Sequence, residues 1–153
     1  MYQTLTFYHS IIRWLLLLAL LTAVIRSFRG FRQKAPFSKT DNAVRHWTAT
    51  IAHIQLVAGI LLYSQSPIIR YFWNHTTAAM HILDTAFFGV VHITLMLTSI
   101  VLITIGSSLA KRKTQDTQKH QTLLTWFSIA LLIIFIAIPW PFSPLAQRPY
   151  IRL

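Results

Sequence analysis

The stretch from Thr85 to Leu109 reads TAFFGVVHITLMLTSIVLITIGSSL and contains no Asp, Glu, Lys or Arg. At about 1.5 Å of rise per residue, a helix of that length crosses the roughly 30 Å hydrocarbon core of a bilayer. Apolar residues fall on all its sides, so it has no face to give to water. Three other stretches read the same way, from about Thr6 to Ile25, from about Trp47 to Ser66 and from about Gln121 to Pro139. Together the four predict an all-α integral membrane four-helix bundle, a single transmembrane domain over residues 1–153. The runs are too long for strands, and turn signals are too few for a β-barrel.

Composition agrees. Of 153 residues, 54% are hydrophobic and only 11% charged, less than half the share in an average soluble domain. The formal net charge is nevertheless +11, from 14 Lys and Arg against 3 Asp and Glu. So apolar a chain has no solvated basic face for nucleic acid, and no nucleic-acid partner is expected. The absence of cysteine excludes disulfides, thiolate-bound metals, iron–sulfur clusters and covalent c-type haem.

The basic residues are sorted by loop. Arg26, Arg29, Arg32, Lys34, Lys39 and Arg45 separate the first two spans, and Lys111, Arg112, Lys113 and Lys119 separate the last two. The outer loop between spans two and three carries Arg70 alone. By the positive-inside rule the two basic loops face the cytoplasm and both termini face outward, a multi-pass N-out/C-out arrangement in a bacterial inner membrane. A cleaved signal peptide would place basic residues before its apolar run, whereas here they follow it. Tyr63, Tyr71, Phe72, Trp73, Trp140 and Phe142 fit an aromatic belt at the outer interface, and Pro139, Pro141 and Pro144 stop the last helix.

Inside such spans ionisable groups are costly, and their default reading is functional. Seven histidines are present, of which His75 and His81 lie in the outer loop and are expected to be solvent-exposed. Measured by helical rise from the cytoplasmic face, His9 lies at about 25–28 Å and His92 at about 24 Å. On the same scale His53 lies at about 10 Å and His120 at about 3–6 Å. Spans one and three thus supply an outer pair, and spans two and four an inner pair. Each pair joins helices of like direction, which can lie diagonally in an antiparallel bundle. Two imidazoles facing each other across a core are what six-coordinate haem b requires, whereas zinc or copper wants three or four ligands at one depth. His46 shares a helix face with His53 and competes for the inner role.

Near His92, Thr85, Gly89, Met96 and Ser99 form a small or polar stripe, and Gly89 is expected to let a macrocycle approach the backbone. Arg13, one turn from His9, needs an anion, for which a haem propionate or Asp84 is the natural partner. At the inner level Arg45, Lys119 or His46 could serve propionates. The bland alternatives are packing roles for Gly89 and Met96, snorkelling for Arg13 and a wet interfacial position for His120.

The segments HSIIRW (His9–Trp14), AHIQL (Ala52–Leu56), VHITLM (Val91–Met96), ITIGSS (Ile103–Ser108), KHQT (Lys119–Thr122) and IPWPF (Ile138–Phe142) resemble small four-helix proteins of the Bacteroidota commonly labelled cytochrome b. The resemblance covers essentially the whole chain. More broadly, the layout is similar to four-helix di-haem cytochromes b, which include superoxide oxidases and the anchors of hydrogenases and formate dehydrogenases. The resemblance implies haem b, electron exchange with quinone, and His9, His53, His92 and His120 as ligands. Val91 stands where an acidic residue sometimes precedes the third-helix histidine, which removes a group a proton relay would use.

The expected function is therefore a b-type cytochrome with two haems, or one at the outer level. It would relay electrons between quinone and a respiratory or periplasmic redox partner. The rival reading is a non-enzymatic membrane subunit of a larger respiratory or secretion complex. A proton-coupled transporter is disfavoured because no carboxylate lies within a span. No Walker motif, nucleophile elbow, zincin motif or paired carboxylates point to hydrolysis or group transfer.

Overall fold

A computed structural model describes residues 1–151, which are helical almost throughout, with no strand among them. Four helices are long and apolar enough to cross a membrane: Tyr2–Gln33, Lys39–Gln65, the run Leu83–Arg112 and Asp116–Ala137. We label the first two α1 and α2. Two short helices, α3 (Pro67–Asn74) and α4 (Thr76–Met80), follow at the end away from the basic connections, the end that charge predicts to be the outer one. The third long run divides into α5 (Leu83–Ala86), a π-helical turn at Phe87–Val91, and α6 (His92–Arg112). The last long helix is α7 (Asp116–Ala137).

The helices outrun the sequence-based spans at the basic ends. Arg26, Arg29 and Arg32 extend α1, and Lys39 and Arg45 open α2, so the loop between them shrinks to Lys34–Ser38. Local chemistry sets these limits. Lys34 adopts the left-handed conformation (φ 50°) that ends α1, and its N–H reaches the Gly30 and Phe31 carbonyls. Ser38 caps α2 in a reciprocal box: its hydroxyl accepts from the Asp41 N–H, and the Asp41 carboxylate accepts from the Ser38 N–H. Asp41 also receives the Arg26 guanidinium at 2.8 Å, pinning α2 to α1. Pro67 starts α3 at its first position, and Ile138 is extended before Pro139, which ends α7.

α1 packs on α2 and α7, and α6 packs on α7 and α2. This closes a ring in which α1 lies diagonal to α6 and α2 diagonal to α7. The core holds Leu16, Leu20 and Ala23 of α1, Ala52 of α2, Ile100 and Ile103 of α6, and Leu123, Phe127, Ala130 and Ile134 of α7. Small residues set the closest approach: a Cβ at Gly106 would run into the Trp126 Cβ of α7. The outer surface is as greasy as the core. Leu15, Leu18, Ile54, Val57, Ile60, Val101, Leu132, Phe135 and Ile136 are all exposed, far more apolar surface than a water-soluble monomer presents. Lipid is the solvent that such a surface fits.

After α7 the chain turns back over the outer end. Arg148 returns an N–H to the Pro139 carbonyl at 3.2 Å. The Tyr150 carbonyl accepts from Arg13 and, at 3.1 Å, from the Trp14 indole of α1. Trp140 packs edge-on against Trp14 at 5.8 Å and stacks with Phe142 at 5.8 Å.

Candidate functional site

An apolar cleft opens in the outer half of the molecule, with about 1320 Å³ of space unfilled by protein atoms, part of it open to the outside. His9 of α1 and His92 of α6 both line it, together with Ser10, Arg13, Gln55, Gly59, Tyr63, Met96 and Arg148. The outer histidines expected to pair thus share one cleft, reached from diagonal helices.

Hydrogen bonding sets both tautomers. His92 Nδ1 lies 2.8 Å from the Ala137 carbonyl oxygen at the end of α7. A carbonyl oxygen can only accept, so Nδ1 carries the proton and Nε2 keeps its lone pair. The Gln55 amide nitrogen donates to the main-chain oxygen of His9 at 3.0 Å and lies 3.3 Å from His9 Nε2. That nitrogen is therefore a donor toward His9 Nε2, which must offer a lone pair. Both rings hold Nε2, the atom that binds metals, in basic form; His92 is oriented through its other nitrogen as ligating histidines are, whereas in His9 the Gln55 amide occupies Nε2 itself. The π turn delivers His92: its five residues end at Val91 and release the chain into α6 at His92.

The other expected residues take different roles. Gly89 was read as room for a macrocycle, but Phe72 of α3 takes that room. A Cβ on Gly89 would come within 2.6 Å of the Phe72 ring, and the Gly89 carbonyl accepts from the Tyr63 hydroxyl at 2.9 Å. Asp84 does not meet Arg13. It pairs with Arg148 at 2.6 Å, while Arg13 donates to Ser10 at 3.3 Å and to Tyr150.

The structure does not bring His53 and His120 together. His53 is exposed, and its Nε2 lies 3.1 Å from the Thr104 hydroxyl of α6. His120 is 1% exposed and turns toward α1, where its ring lies so close over Gly30 that any Cβ there would collide with it. Phe37 covers it at 5.0 Å between ring centroids. Neither ring nitrogen of His120 has a hydrogen-bond partner among the described residues. Of the groups considered for inner propionates, Arg45 donates to Asn42 and to the Ser107 hydroxyl at 2.6 Å, and Lys119 pairs with Asp116 at 3.1 Å. His46 is exposed beside Trp47.

Gln55, Gly59 and Arg148 are cleft residues that reading the sequence did not single out. Gln55 carried a signal, since an amide in mid-span is as costly as the histidine beside it. Arg148 carried none, because its place depends on how the chain returns after Pro139. Among the described residues no three of His, Cys, Asp and Glu gather as a metal cluster. Compared with protein-family models, curated proteins and solved structures, the chain matches none.

Proposed function

We propose that this chain is a membrane b-type cytochrome whose outer cleft holds haem b between His9 and His92. The supporting observation is the pair of unprotonated Nε2 atoms on diagonal helices, both on the wall of one apolar cleft. Arg13 and Arg148 line the same cleft and would meet the propionates as charge-assisted donors. The Ala137 carbonyl keeps the His92 ring from turning. Gln55 must give up His9 Nε2 for an axial bond, keeping its bond to the His9 main-chain oxygen. Leu56, Ile60, Ile93, Leu97 and Ile100 wall the cleft with hydrocarbon and exclude water. Bound there, haem would supply one-electron exchange between quinone and a respiratory or periplasmic redox partner.

The orientation that goes with this reading puts both basic ends in the cytoplasm of a bacterial cell and the cleft in the outer half of the inner membrane. The full-length protein, purified from haem-replete cells, should show a low-spin b-type spectrum in reduced-minus-oxidised difference. His9→Ala and His92→Ala should each abolish it. A colourless wild-type preparation would overturn the proposal.

A second haem at the inner level has one observation in its favour. Both nitrogens of His120 are buried without a partner among the described residues, which costs about 1–3 kcal/mol unless something binds them. It requires His120 to leave Gly30 and His53 to leave Thr104. The ratio of haem to protein separates the two readings: one for the outer site alone, two with the inner.

A further inference from the structure

At the opposite end from the cleft, the two basic loops meet around a cavity of about 610 Å³ that is open to the surroundings. Its walls are Phe37, Ser38, Lys39 and Asn42 from the start of α2, Ala110 and Lys111 from the end of α6, and Lys119 from α7. Three lysines on three helices therefore face one space, against two nearby carboxylates. Asp41 is held by Ser38 and Arg26, and Asp116 by Lys119, whose ammonium also lies 5.5 Å from the centre of the Phe37 ring. Lys39 and Lys111 have no ion pair among the described residues.

A buried cation behind the lining residue Asn42 adds to this bias. Arg45 lies one turn below Asn42 and is 7% exposed, with only neutral acceptors: the Asn42 side-chain oxygen at 3.1 and 2.9 Å, and the Ser107 hydroxyl at 2.6 Å. Arg45 thus occupies the Asn42 oxygen and leaves the amide NH2 as the group Asn42 can offer the cavity. The lining is ammonium and amide donors over a buried, unneutralised guanidinium, which is the chemistry of a phosphate site.

We propose that this cavity binds the phosphate of an anionic lipid headgroup on the cytoplasmic face. A lipid fits better than a free ion because the exposed apolar surface of α6, at Val101 and Ile105, runs toward Lys111 and gives acyl chains a path beside the cavity. Basic pockets between helices at this level are suited to such headgroups. The proposal is independent of what the outer cleft holds.

The test is native mass spectrometry of the full-length protein released from mixed micelles of phosphatidylglycerol and phosphatidylcholine. Wild type should retain one phosphatidylglycerol in preference to phosphatidylcholine. Lys39→Gln/Lys111→Gln should lower that preference by about 30-fold, from the usual contribution of a lysine near a charged lipid surface. Arg29→Gln/Arg32→Gln removes the same charge from exposed positions of α1 outside the cavity and should leave the preference within about threefold of wild type. All four residues are exposed, and unchanged helicity by circular dichroism confirms that the variants fold. Three results would overturn the proposal: equal retention of the two lipids, an equal loss in both double variants, or displacement of the lipid by millimolar inorganic phosphate.

Discussion

At Gly30 a single hydrogen separates the backbone of α1 from the imidazole of His120, and two opposite rules apply to that position. Replacing a helical glycine by alanine ordinarily stabilises by up to about 1 kcal/mol, through backbone entropy, and Gly30 lies in the last turn of α1. Here the new methyl would enter the His120 ring, and overpacking of a tight contact costs about 1–3 kcal/mol. The second effect wins because the ring is enclosed by Phe37 and has nowhere to retreat. Gly30→Ala should therefore lower stability by up to about 2 kcal/mol, read from unfolding in mixed detergent micelles. In a His120→Ala background the same substitution should turn stabilising. A Gly30→Ala protein that is more stable with His120 intact would show that the contact between α1 and α7 is looser than described.

The four long helices were legible because lipid demands apolar residues on every face, so the signal lies in composition rather than periodicity. The ends were less legible. Arg26, Arg29 and Arg32 read as loop by charge, yet a helix that leaves the bilayer can carry arginines into water, and α1 continues to Gln33. That His9 and His92 line one cleft agrees with their similar depth, since helical rise fixes height to within a turn. Depth does not fix azimuth, which is why His53 and His120 matched in height and yet turn to different helices, α6 and α1. The segment after α7 was illegible for a related reason: its place is set by distant partners, Asp84, Arg13 and Trp14 among them. Arg148 joins it to Asp84, with side chains 22% and 40% exposed, a pair worth at most about 1 kcal/mol. Arg148→Gln should thus leave global stability nearly unchanged while speeding amide hydrogen exchange in residues 138–150 severalfold. Exchange that rises equally in α1 and α7 would show instead that the tail is part of the global unfolding unit.

For the molecule as a whole, surface and interior are inverted relative to a soluble protein. Leucine, isoleucine and valine cover the outside, while Gln55, Thr48, Ser99 and His120 are buried between helices. That inversion says which solvent surrounds the helices but not which way up they stand. The expected direction comes from charge: the α1–α2 and α6–α7 connections meet at one end around Lys39, Lys111 and Lys119, and the positive-inside rule predicts that this end faces the cytoplasm. The chain has no cysteine, so a single introduced thiol reports its own side without background. Thr114→Cys lies in the α6–α7 connection and Thr77→Cys on the outer α4, both at exposed positions. With a membrane-impermeant maleimide applied to spheroplasts, Thr77→Cys should label in intact cells and Thr114→Cys only after the membrane is broken. The reverse pattern would put the cleft in the cytoplasmic half. It would leave the helix packing untouched, because no contact between the helices depends on the direction in which they cross.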